Sequence, residues 1–167
     1  MIKSIHIYDF DNTLMHTPNA EDGIAAWEEM TGQIFPTEQY WESPESLDHR
    51  LTIITPNLEV IDAAERSANN SSVLSVLMTG RREHLRPAIM NLIELHDLLL
   101  FADYYLASGD TLTYKQNKIR ELFDKYPHVV EIVVWDDRSD YWLPFEQMSC
   151  ELGIPVYVNR VINGCIQ

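Results

Sequence analysis

The fold is decided by the stretch Ile5-His6-Ile7-Tyr8-Asp9-Phe10-Asp11-Asn12-Thr13-Leu14. Its first half carries the β-branched and aromatic residues typical of a buried strand, whereas Asp and Asn disfavour strands. We therefore expect the strand to end beside Asp9 and Asp11, at the edge where open α/β sheets bind their ligands. Two carboxylates this close repel each other unless a cation or a proton lies between them. Thr13 adds a hydroxyl group to the same turn. The alternative interpretation is an ordinary acidic turn after a strand.

Composition restricts the classes of protein to consider. The chain has 167 residues, of which 46% are hydrophobic, and we predict a single domain over residues 1–167. No apolar run is long enough to cross a bilayer, and the chain leads directly into its first strand. We therefore expect a cytoplasmic protein without a signal peptide. Cys150 and Cys165 lack the spacing of a metal site, and we expect Cys150 to be buried.

The charge of the chain is strongly acidic. Its formal net charge is -14, from 26 acidic and 12 basic side chains. Such a chain repels a polyanion at long range, so we expect no extended nucleic-acid surface. A nucleotide or a nucleic-acid end held by a few local Arg and Lys side chains remains compatible with this charge.

Apolar runs and helical patterns alternate along the chain. Predicted strands cover residues 5–8, 73–78, 104–107, 129–135 and 154–158, and predicted helices cover residues 21–31, 58–68, 83–95, 113–126 and 139–152. This alternation is typical of an α/β fold with a parallel sheet and helices on both faces. We expect His6 to be hydrogen-bonded in the core, and the aromatic side chains of Tyr40, Trp41 and Trp142 to pack rather than to stack on a substrate.

Polar clusters follow, or lie close to, four of the predicted strands. They are Asp9, Asp11 and Thr13; Thr79, Gly80 and Arg81; Lys115; and Asp136, Asp137 and Arg138. Because the carboxyl ends of parallel strands meet at one edge of a sheet, we expect these side chains to converge. Several carboxylates in one place call for a divalent cation, and oxygen ligands suit Mg²⁺. A metal ion and a lysine together can neutralise a phosphoryl group, while one carboxylate attacks phosphorus and a second moves a proton.

These clusters resemble the signatures of the haloacid dehalogenase (HAD) superfamily, whose members are mostly Mg²⁺-dependent phosphohydrolases. The stretch Asp9–Leu14 resembles the first signature, DxDxT, and Thr79 resembles the second. Lys115 and Trp135-Asp136-Asp137-Arg138 are similar to the third and fourth. The resemblance implies a three-layer Rossmann-like fold with a five-stranded parallel sheet. The implied strand order is 5-4-1-2-3, with a small, mainly helical cap at about residues 16–70, which we call the cover segment.

The same resemblance implies roles for individual residues. Asp9 would be the nucleophile that becomes an aspartyl phosphate, and Asp11 would be the acid and base. Thr79 would hydrogen-bond the phosphoryl group, and Lys115 would neutralise its charge; Lys118 is the fallback for Lys115. The implied Mg²⁺ ligands are Asp9, Asp136, Asp137 and the main-chain carbonyl of Asp11. It stays open whether Asp136 or Asp137 binds the metal directly. The expected substrate-binding residues are Thr13, Gly80, Arg81 and Arg138, although the two arginines could instead be ion-pair partners of the acids.

A narrower resemblance points to the RNA-repair-like, or Swiss Army Knife, group of HAD domains. It is carried by Thr79-Gly80-Arg81, Thr113-Tyr114-Lys115, Asp136-Asp137-Arg138 and the segment 41–47. The third of these motifs also recurs in polynucleotide 3′-phosphatases. The resemblance implies a phosphatase acting on nucleotides or nucleic-acid ends. The alternatives are a small-metabolite phosphatase and a non-catalytic module that binds metal or phosphate, against which the intact Asp11 argues.

Overall fold

A computed structural model describes residues 1–167 and shows a mixed α/β architecture. The strands are β1 (Ser4–Tyr8), β2 (Met15–His16), β3 (Thr55–Pro56), β4 (Val73–Arg82), β5 (Asp103–Ala107), β6 (Glu131–Asp136), β7 (Val156–Ile162) and β8 (Cys165–Ile166). The helices are α1 (Ala20–Thr31), α2 (Leu58–Ala68), α3 (Arg86–Leu95), α4 (Thr111–Lys125) and α5 (Ser139–Leu152). Short 3-10 turns cover Tyr40–Glu42, Pro44–Leu47 and Glu83–Leu85. None of the α-helices combines the length and apolar composition that a membrane span requires.

The main sheet has the order β5-β4-β1-β6-β7-β8, so β1 lies in its interior. Strands β5, β4, β1, β6 and β7 are parallel, in the order that the family resemblance implies, which confirms the five-stranded parallel sheet. In addition, β8 adds a sixth strand, antiparallel to β7. Asn163 and Gly164 form the connecting turn, both with positive φ (51° and 79°). Asn-Gly is the pair that a two-residue hairpin favours, so the sixth strand has a local sequence signal.

The sheet is covered on both faces, which explains the alternation along β1. Ile5 and Ile7 belong to the core between the sheet and helices α4 and α5. Tyr8 belongs to the opposite core, where it packs with residues of α2 and α3. Since side chains of a strand alternate between its faces, one apolar strand serves two cores. The result is three layers, helix–sheet–helix, with the polar turns left at the carboxyl edge of the sheet.

The cover segment contains α1, two 3-10 turns, the small antiparallel pair β2–β3, and α2. Its last helix, α2, packs against the sheet. Ser67 of that helix has its Oγ 2.7 Å from both His6 Nδ1 and the Tyr8 hydroxyl. His6 is therefore hydrogen-bonded at the sheet surface, as expected. Cys150, in contrast, is exposed on α5, because it lies on the solvent side of that helix.

Candidate active site

Asp9 and Asp11 lie in a tight turn directly after β1. The backbone N–H of Asp9 donates to the Trp135 carbonyl at 3.0 Å, which prolongs the ladder between β1 and β6 by one residue. The turn then folds back, because Leu14 N donates to the Asp9 carbonyl. Asn12 adopts a left-handed conformation (φ 53°), which Asn tolerates better than most residues. Asp9 is consequently buried, whereas the Asp11 carboxylate stays one-fifth exposed.

Lys115 reaches this turn from α4 and is almost fully buried. Its Nζ donates to Asp9 Oδ1 and to Asp136 Oδ2, each at 2.7 Å. Burial alone would lower the pKa of Lys115, but the two carboxylates raise it overall, so the ammonium stays charged. Lys118, the alternative candidate, forms an ion pair with Glu121 on the outer side of α4. The structure thus places Lys115, and not Lys118, between the acids.

Asp136 and Asp137 end β6 and face different surroundings. Asp136 is fully buried, and its Oδ1 accepts from Arg138 N at 2.9 Å while its Oδ2 accepts from Lys115. Asp137 is half-buried and lines the open cavity. Burial, and next the charge of Asp136, raises the pKa of Asp137 to about 6. Burial also raises the pKa of Asp9 well above its usual range, although Lys115 opposes this shift.

Three carboxylates beside one ammonium form a candidate divalent-cation site. Ligand oxygens of Asp9, Asp136 and Asp137 lie within 4.8 Å of one another. Lys115 balances only one of the three negative charges, and after burial, which is the larger cause, the neighbouring carboxylates add to the raised pKa values of Asp9 and Asp137. A second positive charge would relieve this repulsion, and an all-carboxylate donor set fits Mg²⁺. Both Asp136 oxygens already accept hydrogen bonds, from Arg138 N and Lys115 Nζ, whereas the Asp137 side chain lines the open cavity.

Arg81 connects the acid Asp11 to the cover segment. Its Nε and Nη2 donate to Asp11 Oδ2 and Oδ1, at 2.9 and 2.7 Å, in a bidentate pair. Its Nη1 donates to the Trp41 carbonyl and to Ser46 Oγ, both at 2.8 Å. Four of the five guanidinium N–H groups are therefore engaged, and the side chain is only 3% exposed. Arg81 fixes the orientation of Asp11 and leaves a single N–H group for other partners.

Seven predicted site residues line one cavity of about 350 Å³ at the carboxyl edge of the sheet. They are Asp9, Asp11, Gly80, Arg81, Lys115, Asp137 and Arg138. Three others, Thr13, Thr79 and Asp136, are fully buried and lie behind its wall. The hydroxyl of Thr79 accepts from Arg81 N at 3.1 Å. Thr13 Oγ1 has no hydrogen-bond partner.

The backbone at Gly80 lies close to α4. A Cβ at this position would lie 3.1 Å from Thr111 Cγ2 at the start of α4, so a larger residue would press on that helix. Gly80 thus allows β4 and the N-terminus of α4 to approach each other beside the cavity.

At the rim of the cavity, Arg138 forms an ion pair with Asp140, and its guanidinium lies 4.4 Å from the Tyr141 ring centroid. The sequence analysis missed six lining residues, namely Asn12, Trp41, Glu42, Arg82, Thr111 and Tyr141. Asn12 and Arg82 adjoin predicted residues in the sequence, Thr111 begins α4, and Tyr141 lies in the first turn of α5. Trp41 and Glu42 come from the cover segment, and their position depends on tertiary contacts.

Comparisons with known proteins agree with this geometry. A family model described as HAD domain family 1 in Swiss Army Knife RNA repair proteins matches residues 30–154. An uncharacterized protein of Saccharomyces cerevisiae is 26% identical over 92% of this chain, which spans 38% of the length of that relative.

Solved structures share the fold at low sequence identity. The HAD domain of the Legionella pneumophila effector Lem4 has a TM-score of 0.59 at 15% identity, covering 98% of this chain and 88% of that one. A chain of the Pnkp1/Rnl/Hen1 complex has a TM-score of 0.56 at 14% identity, covering 94% and 46%. A β-phosphoglucomutase from Pyrococcus sp. strain ST 04 has a TM-score of 0.53 at 13% identity, covering 93% and 85%.

Proposed function

Because the chain belongs to the HAD domain family found in Swiss Army Knife RNA repair proteins, we propose that it is a Mg²⁺-dependent phosphomonoester hydrolase. Catalysis proceeds through an aspartyl-phosphate intermediate on Asp9. The observation that carries this proposal is the buried Lys115 ammonium, which lies 2.7 Å from both Asp9 and Asp136 and opens on a cavity that Asp137 also lines. A nucleophile, a charge-neutralising cation and a metal ligand are thus close together.

The chemistry assigned to these residues balances in two steps. An Asp9 carboxylate oxygen attacks phosphorus, the bond from phosphorus to the ester oxygen breaks, and Asp11 gives its proton to that leaving oxygen. Asp11 then takes a proton from water, the water oxygen attacks phosphorus, and the bond from phosphorus to Asp9 breaks, which releases inorganic phosphate. Asp9 and Asp137, together with Asp136, would hold Mg²⁺, which would supply charge neutralisation for the phosphoryl oxygens.

The shape of the site supports a substrate larger than a free sugar phosphate. A second polar groove of about 550 Å³ adjoins the cavity, because Asn12 and Asp137 line both. The two spaces side by side would offer room for a nucleotide or for the end of a nucleic-acid strand. The net charge of -14 favours contact with only the terminal nucleotides.

Hydrolysis assays with and without Mg²⁺ test the proposal. We expect the wild-type protein to hydrolyse p-nitrophenyl phosphate only with the metal, and Asp9→Asn to lose turnover while keeping its melting temperature. Asp124→Asn, which changes an exposed carboxylate of α4, is the matched control and should behave as wild type. Near-normal rates in Asp9→Asn would exclude the covalent mechanism. Mg²⁺ binding without turnover on any phosphomonoester would instead indicate a non-catalytic module.

A substrate panel separates the possible physiological classes. It should compare 3′-phosphorylated oligonucleotides and nucleotides with phosphorylated sugars. A preference of at least tenfold in kcat/KM for the nucleotide group is expected. The opposite preference would assign the chain to the small-metabolite phosphatases.

A further inference from the structure

Trp41 is an exposed aromatic side chain on the wall of the catalytic cavity. It lies in the 3-10 turn Tyr40–Glu42 of the cover segment, and 42% of it remains accessible to solvent. Its neighbour Tyr40 is 2% exposed, and Trp27 on α1 is 7% exposed. Trp41 thus packs on its neighbours, as expected, but unlike these two aromatic residues it keeps a large accessible surface.

The Trp41 side chain is held in place before any ligand arrives. The Arg81 guanidinium lies over its ring, with the carbon atom 4.7 Å from the centroid. The Tyr40 ring packs edge-on at a centroid distance of 5.2 Å. The Trp41 carbonyl accepts from Arg81 Nη1, which fixes the backbone as well. An aromatic surface that is already ordered costs little conformational entropy when a ligand stacks on it.

The same guanidinium also places Trp41 next to the proposed chemistry. Arg81 contacts the Trp41 ring and, through its bidentate pair, the Asp11 carboxylate. Only the Arg81 side chain therefore separates a planar group stacked on Trp41 from Asp11, the proposed proton donor to the leaving oxygen. Nucleobases stack on such platforms whatever their identity, because each base has a π-face.

We propose that Trp41 is the stacking platform for a nucleobase, so that the leaving group of the reaction is a nucleoside hydroxyl. This inference rests on the proposed phosphomonoester hydrolysis and names the substrate class of that site. The cavity of about 350 Å³ exceeds what a phosphoryl group needs and falls in the size range of sites for nucleotide-sized ligands. Trp41 is the large aromatic side chain that the cover segment contributes to its wall.

The kinetic test compares Trp41→Leu and Trp41→Phe with wild type on three substrates. These are a nucleoside 3′-monophosphate, a single-stranded oligonucleotide with a 3′-phosphate, and glycerol phosphate, which has no ring. Trp41→Leu should lower kcat/KM for both nucleotide substrates about 5- to 150-fold, mainly through KM, as expected for the loss of one base stack. Trp41→Phe should retain most of the activity. Glycerol phosphate should change less than about twofold in both variants.

Tyr157→Leu, at an exposed aromatic residue on β7 outside the cavity, is the matched control and should change nothing. An equal loss for glycerol phosphate in Trp41→Leu would overturn the inference, since the ring would then act only by supporting Arg81. Unchanged nucleotide kinetics would overturn it as well. If Trp41→Leu does not fold, Trp41→Met takes its place, with the same losses expected; a loss restricted to the two nucleotide substrates supports stacking, and no such loss decides against it.

A binding measurement separates this inference from the proposed function. Calorimetric titration of Asp9→Asn with the nucleoside 3′-monophosphate should show affinity that Trp41→Leu in the same background reduces by a similar factor. This result would support the platform even if the wild-type protein hydrolysed nothing. If wild type hydrolyses phosphomonoesters but Asp9→Asn binds the nucleotide equally well with and without Trp41→Leu, the proposed hydrolase activity stands and the stacking role of Trp41 is rejected.

Discussion

Replacing Arg81 with lysine should damage the protein in two distinguishable ways. Lysine keeps the positive charge but cannot reproduce the planar fork that binds both Asp11 oxygens. It can retain one bond to Asp11, so one charged bond and the two bonds to the Trp41 carbonyl and Ser46 Oγ are lost. Water can replace the lost hydrogen bond at Asp11, whose side chain is one-fifth exposed, but not the one at Ser46, which is fully buried.

The stability loss follows from these bonds. All three lost bonds come from the charged guanidinium, and such bonds contribute about 1.5–3 kcal/mol each. Because water can replace the one at Asp11, the two bonds to the cover segment set the expected loss at about 3–6 kcal/mol. In a chain of this length that lowers the melting temperature by about 6–24 °C. Arg82→Lys is the matched control. It changes the adjacent arginine, whose bonds go to the Gly109 carbonyl and the exposed Glu42, and should cost less than about 1 kcal/mol.

The kinetic effect should depend on the leaving group. If Arg81 acts by orienting Asp11, the variant should hydrolyse an alkyl phosphate about 10- to 100-fold more slowly, because the alkoxide needs a proton. The kcat/KM for p-nitrophenyl phosphate, which reports only the step up to release of the leaving group, should fall less than about threefold, since this leaving group departs without a proton. Equal losses on both substrates, measured well below the melting temperature, would refute this reasoning. Arg81 would then act on the phosphoryl group itself.

Three further changes test other parts of the structure. Lys115→Met should lower the free energy of unfolding by about 3–5 kcal/mol, because Asp9 and the other buried acids lose their cation. The measurement is urea denaturation in EDTA. A loss smaller than about 1 kcal/mol would contradict the burial of this charge. Burial lowers the pKa of His6, so the unfolded chain binds a proton before the folded protein does as pH falls. Wild type should therefore lose stability relative to His6→Gln between about pH 7.5 and 5.5. If the free energies of unfolding of the two proteins changed in parallel with pH, this reasoning would be wrong. Gly23→Ala would bring a Cβ to 2.0 Å from the Tyr40 hydroxyl and should cost about 1–3 kcal/mol of stability, measured by thermal unfolding. An unchanged melting temperature would show that α1 does not pack on Tyr40 in this way.

The sequence predicts the parts of this protein that depend on local patterns. The parallel sheet and its order follow from strand and helix alternation and from the family resemblance, and Asp9 and Lys115 could be located because each follows a recognisable element boundary. The irregular span 33–57 could not be placed, since no period specifies where a 3-10 turn will lie against a sheet. Whether Arg81 binds substrate or an acid could not be decided either, because its contact with Asp11 spans 70 residues of sequence. Tertiary geometry, and not residue type, determines that contact.

The attachment of Arg81 to the Trp41 carbonyl and Ser46 bears on how the site exchanges ligands. A cap that swings open on a hinge must break the contacts holding it to the domain beneath. Here that motion would break the two hydrogen bonds from the buried Arg81 guanidinium to the cover segment while Arg81 remains paired to Asp11, which is unfavourable. We therefore expect ligands to enter and leave without movement of the cover segment as a unit. Turnover would then be limited by chemistry or phosphate release rather than by the opening of a cap.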